Sequence, residues 1–110
     1  MAKTTLTQAQ LASLRRKLRD ERRRIGAVLQ EPLSSAPTDE PREFEETAQR
    51  ATDRDQELGI HSQEGALLVE VDRALAKMDA GTYGVSEKTG DPIPYERLAA
   101  VPWARDAVGE

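Results

Sequence analysis

Between Arg42 and Ala80 no proline interrupts the chain, and Leu58, His61, Gly65, Leu68, Val71, Leu75 and Met78 follow one another in steps of three and four. That spacing puts them on one stripe of an α-helix, with charged residues around the rest of its circumference. At about 1.5 Å per residue the helix would be roughly 55–60 Å long. A rod so long and polar needs a partner helix along its stripe. Upstream, Leu11, Leu14, Leu18, Ile25 and Val28 follow a heptad broken by Glu21. Thr5 or Thr7, each followed three residues later by a glutamine (Gln8, Gln10), opens that helix with a capping box. The pattern predicts a first helix over about residues 5–31, ended by Pro32, which disfavours helix at the residue before it. Residues 32–41 (PLSSAPTDEP) hold three prolines, two serines and a threonine and read as a tip loop. A second helix over about 42–80 follows, capped by Asp39 or Thr38 with Pro41 in its first turn, and closed by Gly81 as its C′ residue.

Folding the chain back around residues 36–37 gives an antiparallel pair, and the charges favour that register. Residues 14–24 hold seven basic and two acidic residues, whereas residues 39–57 hold eight acidic and three basic. Each exposed ion pair is worth under about 1 kcal/mol, so the pattern selects orientation more than it stabilises. The basic run has an alternative reading as a phosphate-binding patch. Gly59 and Gly65 weaken the second helix by roughly 1 kcal/mol each relative to alanine; on the stripe, Gly65 would let the two backbones approach closely. His61, the chain's single histidine, reads as a seam residue rather than a ligand or general base, having no second histidine or cysteine to complete a site.

After Gly81 the character changes, with glycines, prolines and most of the four aromatic residues collecting in the last thirty positions. Val85–Ser86 and Ile93 are expected as short strands around a turn at Thr89–Gly90–Asp91, and Tyr95 to Ala100 as a short helix ended by Pro102. Tyr83, Ile93, Leu98, Val101 and Trp103 would form a small core. The fold class expected is mainly α: a long antiparallel two-helix coiled-coil hairpin (1–80) with a small C-terminal module (81–110).

Composition narrows the function. A third of the 110 residues are charged, the formal net charge is −4, and there is no cysteine. The acidic balance disfavours generic nucleic-acid binding. Disulfides and thiolate metal sites are excluded. No apolar run suits a signal peptide or a membrane span, so a cytoplasmic protein is expected. No glycine-rich phosphate loop or catalytic constellation is apparent, so no enzyme and no cofactor are expected.

The C-terminal segment resembles the zinc-finger module of the DksA/TraR family of bacterial RNA polymerase regulators. The residues that carry the resemblance are Gly81, Tyr83, Gly84, Gly90, Ile93, Arg97, Leu98 and Pro102. Ser86 and Thr89 stand where the family has its first cysteine pair, and Ala107 and Glu110 lie at or near the second. Hydroxyls are poor zinc ligands and alanine offers none, so the likeness is to a degenerate, zinc-free finger, with Trp103 as the candidate filler for the lost metal.

The resemblance implies a monomeric factor whose hairpin enters the secondary channel of RNA polymerase and modulates transcription initiation, with no sequence-specific DNA binding. The family's acidic tip motif falls on Glu43, Glu46 and Ala48, and the two glutamates, three apart, share a helix face. Acidic residues in a first helical turn are also ordinary, because they complement the helix dipole. Positions that are basic in relatives responsive to the alarmone ppGpp are Gln63 and Glu70 here, which implies weak or absent ppGpp dependence. Leu68, Leu75, Tyr83, Arg97, Leu98 and Trp103 are the expected structural residues. The alternatives are a coiled-coil adaptor with another protein partner, and a Gre-like modulator of transcript cleavage.

Overall fold

The computed structural model describes residues 5–31 and 44–107, without the side chains of Phe44 and Glu45. It is an elongated body measuring 64 × 26 × 20 Å, built from α1 (Gln8–Gln30), α2 (Phe44–Ala80) and the short α3 (Tyr95–Ala100). Thr7, rather than Thr5, caps α1: its Oγ1 accepts from the Gln10 N–H (3.1 Å), and the Gln10 side chain accepts from the Thr7 N–H (2.9 Å). The capping box thus satisfies two amide donors that a helix start leaves open. At the end of α2, Gly81 takes φ +77°. Its N–H donates to the Met78 carbonyl, and that of Thr82 to the Lys77 carbonyl, the Schellman closure that a glycine permits. The loop 32–41, with the capping residues Thr38 and Asp39 and with Pro41, lies outside the described residues.

α1 and α2 pack antiparallel along a seam whose fully buried members are Leu14, Leu18 and Ile25 on α1 and Val71 on α2, with Ala74 close behind. Leu68, Leu75 and Met78 are half-buried against them. The register differs from a fold-back at 36–37. Arg15 pairs with Asp79 (3.1 Å), Arg22 with Asp72 (2.7 Å) and Arg24 with Glu64 (2.9 Å). The numbers of these pairs average 47, 47 and 44, so the basic segment lies beside residues 64–79 and not beside 39–57. The reason is energetic. Burying a leucine-sized side chain is worth about 1.5–3 kcal/mol, while an exposed ion pair gives about 0.2–1 kcal/mol. The seam sets the register, and the arginines take the carboxylates it brings to them.

Two further expectations fail along α2. Leu58 is 45% exposed, so the seam ends before it. Around Gly65 an added Cβ would meet no atom within 4 Å, so no close backbone approach occurs there. His61 is half-buried.

After Gly81 the chain turns back over the base of the hairpin. Among the described residues there are no strands; the pairing expected between Val85–Ser86 and Ile93 is one isolated antiparallel bridge, Val85 to Pro92. Gly90 takes φ +78° at the turn, and the N–H of Ile93 donates to the Gly84 carbonyl (2.8 Å). Tyr83, Ile93 and Leu98 join Leu14, Leu18, Ile25, Val71 and Ala74 in one continuous core. Val101 and Trp103 are only half-buried, Trp103 packing on the outside of that core. The phenol of Tyr83 is buried and donates to the Pro102 carbonyl (2.8 Å). Burial disfavours its charged form and pushes its pKa well above the ordinary tyrosine value.

Candidate functional site

The residues singled out in the sequence fall at opposite ends of α2. Toward its N-terminus, Glu46 and Ala48 are exposed on the helix. Glu43 precedes the described part of α2 and lies outside the described residues. From Glu46 to Glu70 no side chain of α2 is fully buried, while Arg50, Asp53, Arg54, Glu57 and His61 are half-buried.

At the other end, the positions that resemble a metal knuckle are held by polar contacts. Ser86 is 4% exposed. Its Oγ accepts from the N–H groups of Lys88 (3.2 Å) and Thr89 (3.3 Å), and lies 3.4 Å from Asp106 Oδ1, to which it donates. The N–H of Gly90 donates to the Ser86 carbonyl (2.9 Å), and the N–H of Glu87 to the Arg105 carbonyl (3.0 Å). The hydroxyl of Ser86 therefore gathers the turn's amides onto one buried oxygen and ties the turn to the C-terminal segment. Thr89 is exposed, and its Oγ1 accepts from the Asp91 N–H (3.2 Å). Ala107 is half-buried; Glu110 lies outside the described residues. Two hydroxyls, one already occupied by backbone donors, and an alanine do not suit a zinc site. Among the described residues no group of three histidines, cysteines, aspartates or glutamates is placed to hold a metal ion.

Arg105 secures the segment to α2. Its Nε donates to Glu70 Oε2 (2.7 Å) and a second guanidinium nitrogen to Glu70 Oε1, a two-pronged pairing. Arg73 and Lys77 on α2 both reach Glu87, Lys77 at 3.5 Å, and Arg105 approaches Glu87 at 3.7 Å. Lys88 lies 3.9 Å from Asp106. The hydrogen bonds from Arg105 hold the Glu70 carboxyl below the usual glutamate range. Lys77 is pushed below the usual lysine range, first by burial and then by the neighbouring positive Arg73 and Arg105. Sequence reading missed this ionic clasp, whose partners Glu70 and Arg105 stand 35 positions apart. The only signal was the isolated arginine at 105 in an otherwise turn-rich, apolar tail.

Trp103, Lys17, Asp20, Glu21, Arg24 and Ala99 line an open cleft between α1 and α3, and Lys17 Nζ donates to the Ala99 carbonyl across it (3.2 Å). Arg97 is half-buried and Leu98 fully buried. Among the described residues, no helix is long and apolar enough to cross a membrane.

The comparisons with known proteins agree with this geometry. No family model matches the chain. Over 57 residues it is 58% identical to general stress protein 16O of Bacillus subtilis, a match covering 52% of this chain and 35% of that protein. It is 32% identical over 91 residues to the RNA polymerase-binding transcription factor DksA of Caulobacter vibrioides, covering 83% of this chain and 60% of that one. The structure of transcription factor DksA2 from Pseudomonas aeruginosa superposes with a TM-score of 0.75 at 28% identity, over 92% of this chain and 79% of that one. The chain belongs to the DksA/TraR-like family. As a DksA-like chain it has the two long helices and the folded-back C-terminal segment in a form that needs no cysteine, although it spans only 35% to 60% of the length of these two curated relatives.

Proposed function

We propose that this DksA-like chain binds RNA polymerase and modulates transcription initiation, with the base of its hairpin at the rim of the secondary channel and its far end inside. The observation that carries the proposal is the length of α2 beyond its pairing with α1. α2 runs on from its last ion pair with α1, at Glu64, as far as Phe44, which supports reading Glu46 and Ala48, with Glu43 just before them, as the acidic end far from the base. The relation to a factor named as binding RNA polymerase supports the partner. Carboxylates at such an end act electrostatically, on a catalytic ion or on mobile loops of the enzyme, without chemistry by the factor itself. No promoter sequence is read, no cofactor is used, and the factor acts as a monomer in the cytoplasm. Glu70, taken up by Arg105, offers a phosphate no positive charge, which supports weak or absent dependence on ppGpp.

The test is transcription in vitro with purified polymerase, comparing the parent with a Glu43→Ala/Glu46→Ala variant. Alanine is an excellent helix former, so the fold is expected to survive, with polymerase affinity near normal and most of the regulatory effect gone. A variant that regulates as fully as the parent would reduce the two glutamates to helix-start residues. Failure of the parent to co-purify with polymerase would favour an adaptor for another protein, and stimulated transcript cleavage a Gre-like role.

A further inference from the structure

One charged surface is used neither by the seam nor by the acidic end of α2. At about 100° per residue, Arg15, Arg16, Arg19, Arg22 and Arg23 fall within one contiguous third of the circumference of α1, and no acidic residue of α1 falls among them. The inner edge of this face is already occupied. Arg15 and Arg22, seven residues apart, hold Asp79 and Asp72, which are also seven apart on α2. One position further round, Arg16 and Arg23 repeat the seven-residue spacing on the outward side, with Arg19 between them. Among the described residues Arg16 and Arg19 make no ion pair or hydrogen bond, and Arg23 meets only Asp20, at 3.8 Å. Arg19, Arg22 and Arg23, together with the half-buried Leu75 of α2, line an open hollow of about 480 Å³.

We infer that this face docks an acidic amphipathic helix of a partner protein, laid along α1 with glutamates or aspartates at i, i+3 and i+7 and an apolar side chain seated over Leu75. The outward arginines repeat the seven-residue ladder that α1 already presents to the carboxylates of α2, so a second acidic helix finds the same spacing. Guanidinium groups pair carboxylates through two parallel hydrogen bonds, and arginine around an apolar contact is a common composition for an interface core. A nucleic acid fits less well. A duplex would extend past the patch, and the chain carries a formal net charge of −4, with Asp72 and Asp79 on the rim of the face itself. A short acidic helix keeps its charges within about a Debye length (~10 Å at 0.1 M salt) of the arginines. The inference does not rest on the polymerase reading, since it concerns a side face of α1 beside the base and not the acidic end of α2.

The experiment measures fluorescence anisotropy at low salt with a labelled helical peptide that carries glutamates at i, i+3 and i+7 around one leucine. The full chain is expected to bind it, and to bind several-fold more weakly a peptide of equal composition with its glutamates spread around the helix. Arg19→Glu/Arg23→Glu should lose about tenfold or more in affinity, as expected for reversed charges at an interface. The same variant should gain affinity for a lysine version of the peptide, and Arg19→Gln/Arg23→Gln should fall between. Both positions are exposed, and an unchanged helical signal in each variant confirms the fold. Indifference of the parent to glutamate spacing, or to replacement of the glutamates by glutamine, would overturn the inference. Tighter binding of a double-stranded DNA than of the acidic peptide would overturn it in favour of a nucleic-acid face.

Discussion

The two ends of the core are held by different physics. Along the seam, Leu14, Leu18, Ile25 and Val71 are stripped of solvent, and what holds them is area removed from water, a force without direction or charge. In the C-terminal segment a smaller apolar set, Tyr83, Ile93 and Leu98, is overlaid by directional contacts: the Ser86 hydroxyl on two amides, Tyr83 on Pro102, Arg105 on Glu70. A seam tolerates salt and acid; the ion pairs in that overlay do not. A short turn-rich segment with little core is thus kept in place by contacts that are partly ionic, at the cost of sensitivity to solution conditions.

Substitution in the seam should produce the largest effect. Leu18→Asp places an unpaired carboxylate at a fully buried position and is expected to cost several kcal/mol, removing cooperative thermal unfolding and much of the helical circular dichroism. Leu68→Asp, at a half-buried position, should cost clearly less, and equal losses would show that the seam reaches further along α2 than its burial indicates. Next comes Ser86→Ala, which leaves the Lys88 and Thr89 amides without their shared acceptor. It should cost about 1–3 kcal/mol, with hydrogen exchange accelerated at residues 86–90 and unchanged along α1.

Smaller still is Glu70→Gln, which should lower the melting temperature modestly at low salt and hardly at all at high salt, because ion pairs at partly exposed positions are screened. The same residue gives a pH dependence. Its carboxyl is held below the ordinary value of 4.5, so its contribution is fully present above about that pH and is lost as pH falls through the depressed folded value. Acid titration of the parent against Glu70→Gln should converge at the acid end; parallel curves would remove Glu70 from the clasp. The smallest expected effect is none: a strong chelator should leave the melting curve unchanged, and a downward shift would show a metal in the segment after all.

The helices were legible because period and punctuation coincide: Thr7 with Gln10, Gly81 after the stripe, and Tyr95–Ala100 before Pro102. The register was not, because it was read from the middle of the loop with charge density as its support, and the residues that set it are two leucines, an isoleucine and a valine whose pairing no local pattern announces. Leu58 and Gly65 continue the period of three and four faultlessly and still fall outside the packed seam. Periodicity names a face of the helix, but only the partner determines how much of that face is covered. Tyr83, Ile93 and Leu98 were legible as core from their apolar character among glycines and prolines. The clasp was not, since Glu70, Glu87 and Arg105 look like ordinary surface charges until the chain folds back. Of the acidic end, Glu46 and Ala48 are on the surface of α2 as the helical pattern implied, while Glu43 is beyond what the structure describes.

α2 has 37 residues and α1 has 23, and between Glu46 and Glu70 none of its described side chains is fully buried. Mechanically this makes the helix a cantilever, clamped most firmly at the base by Val71 and Ala74 and more lightly packed toward its other end. The evolutionary consequence is a separation of pressures. At the exposed positions of this lightly packed half most helix-forming residues leave folding intact, so sequence drift there is filtered mainly by whatever that end touches. A lineage can retune that end one substitution at a time without re-engineering the scaffold that carries it.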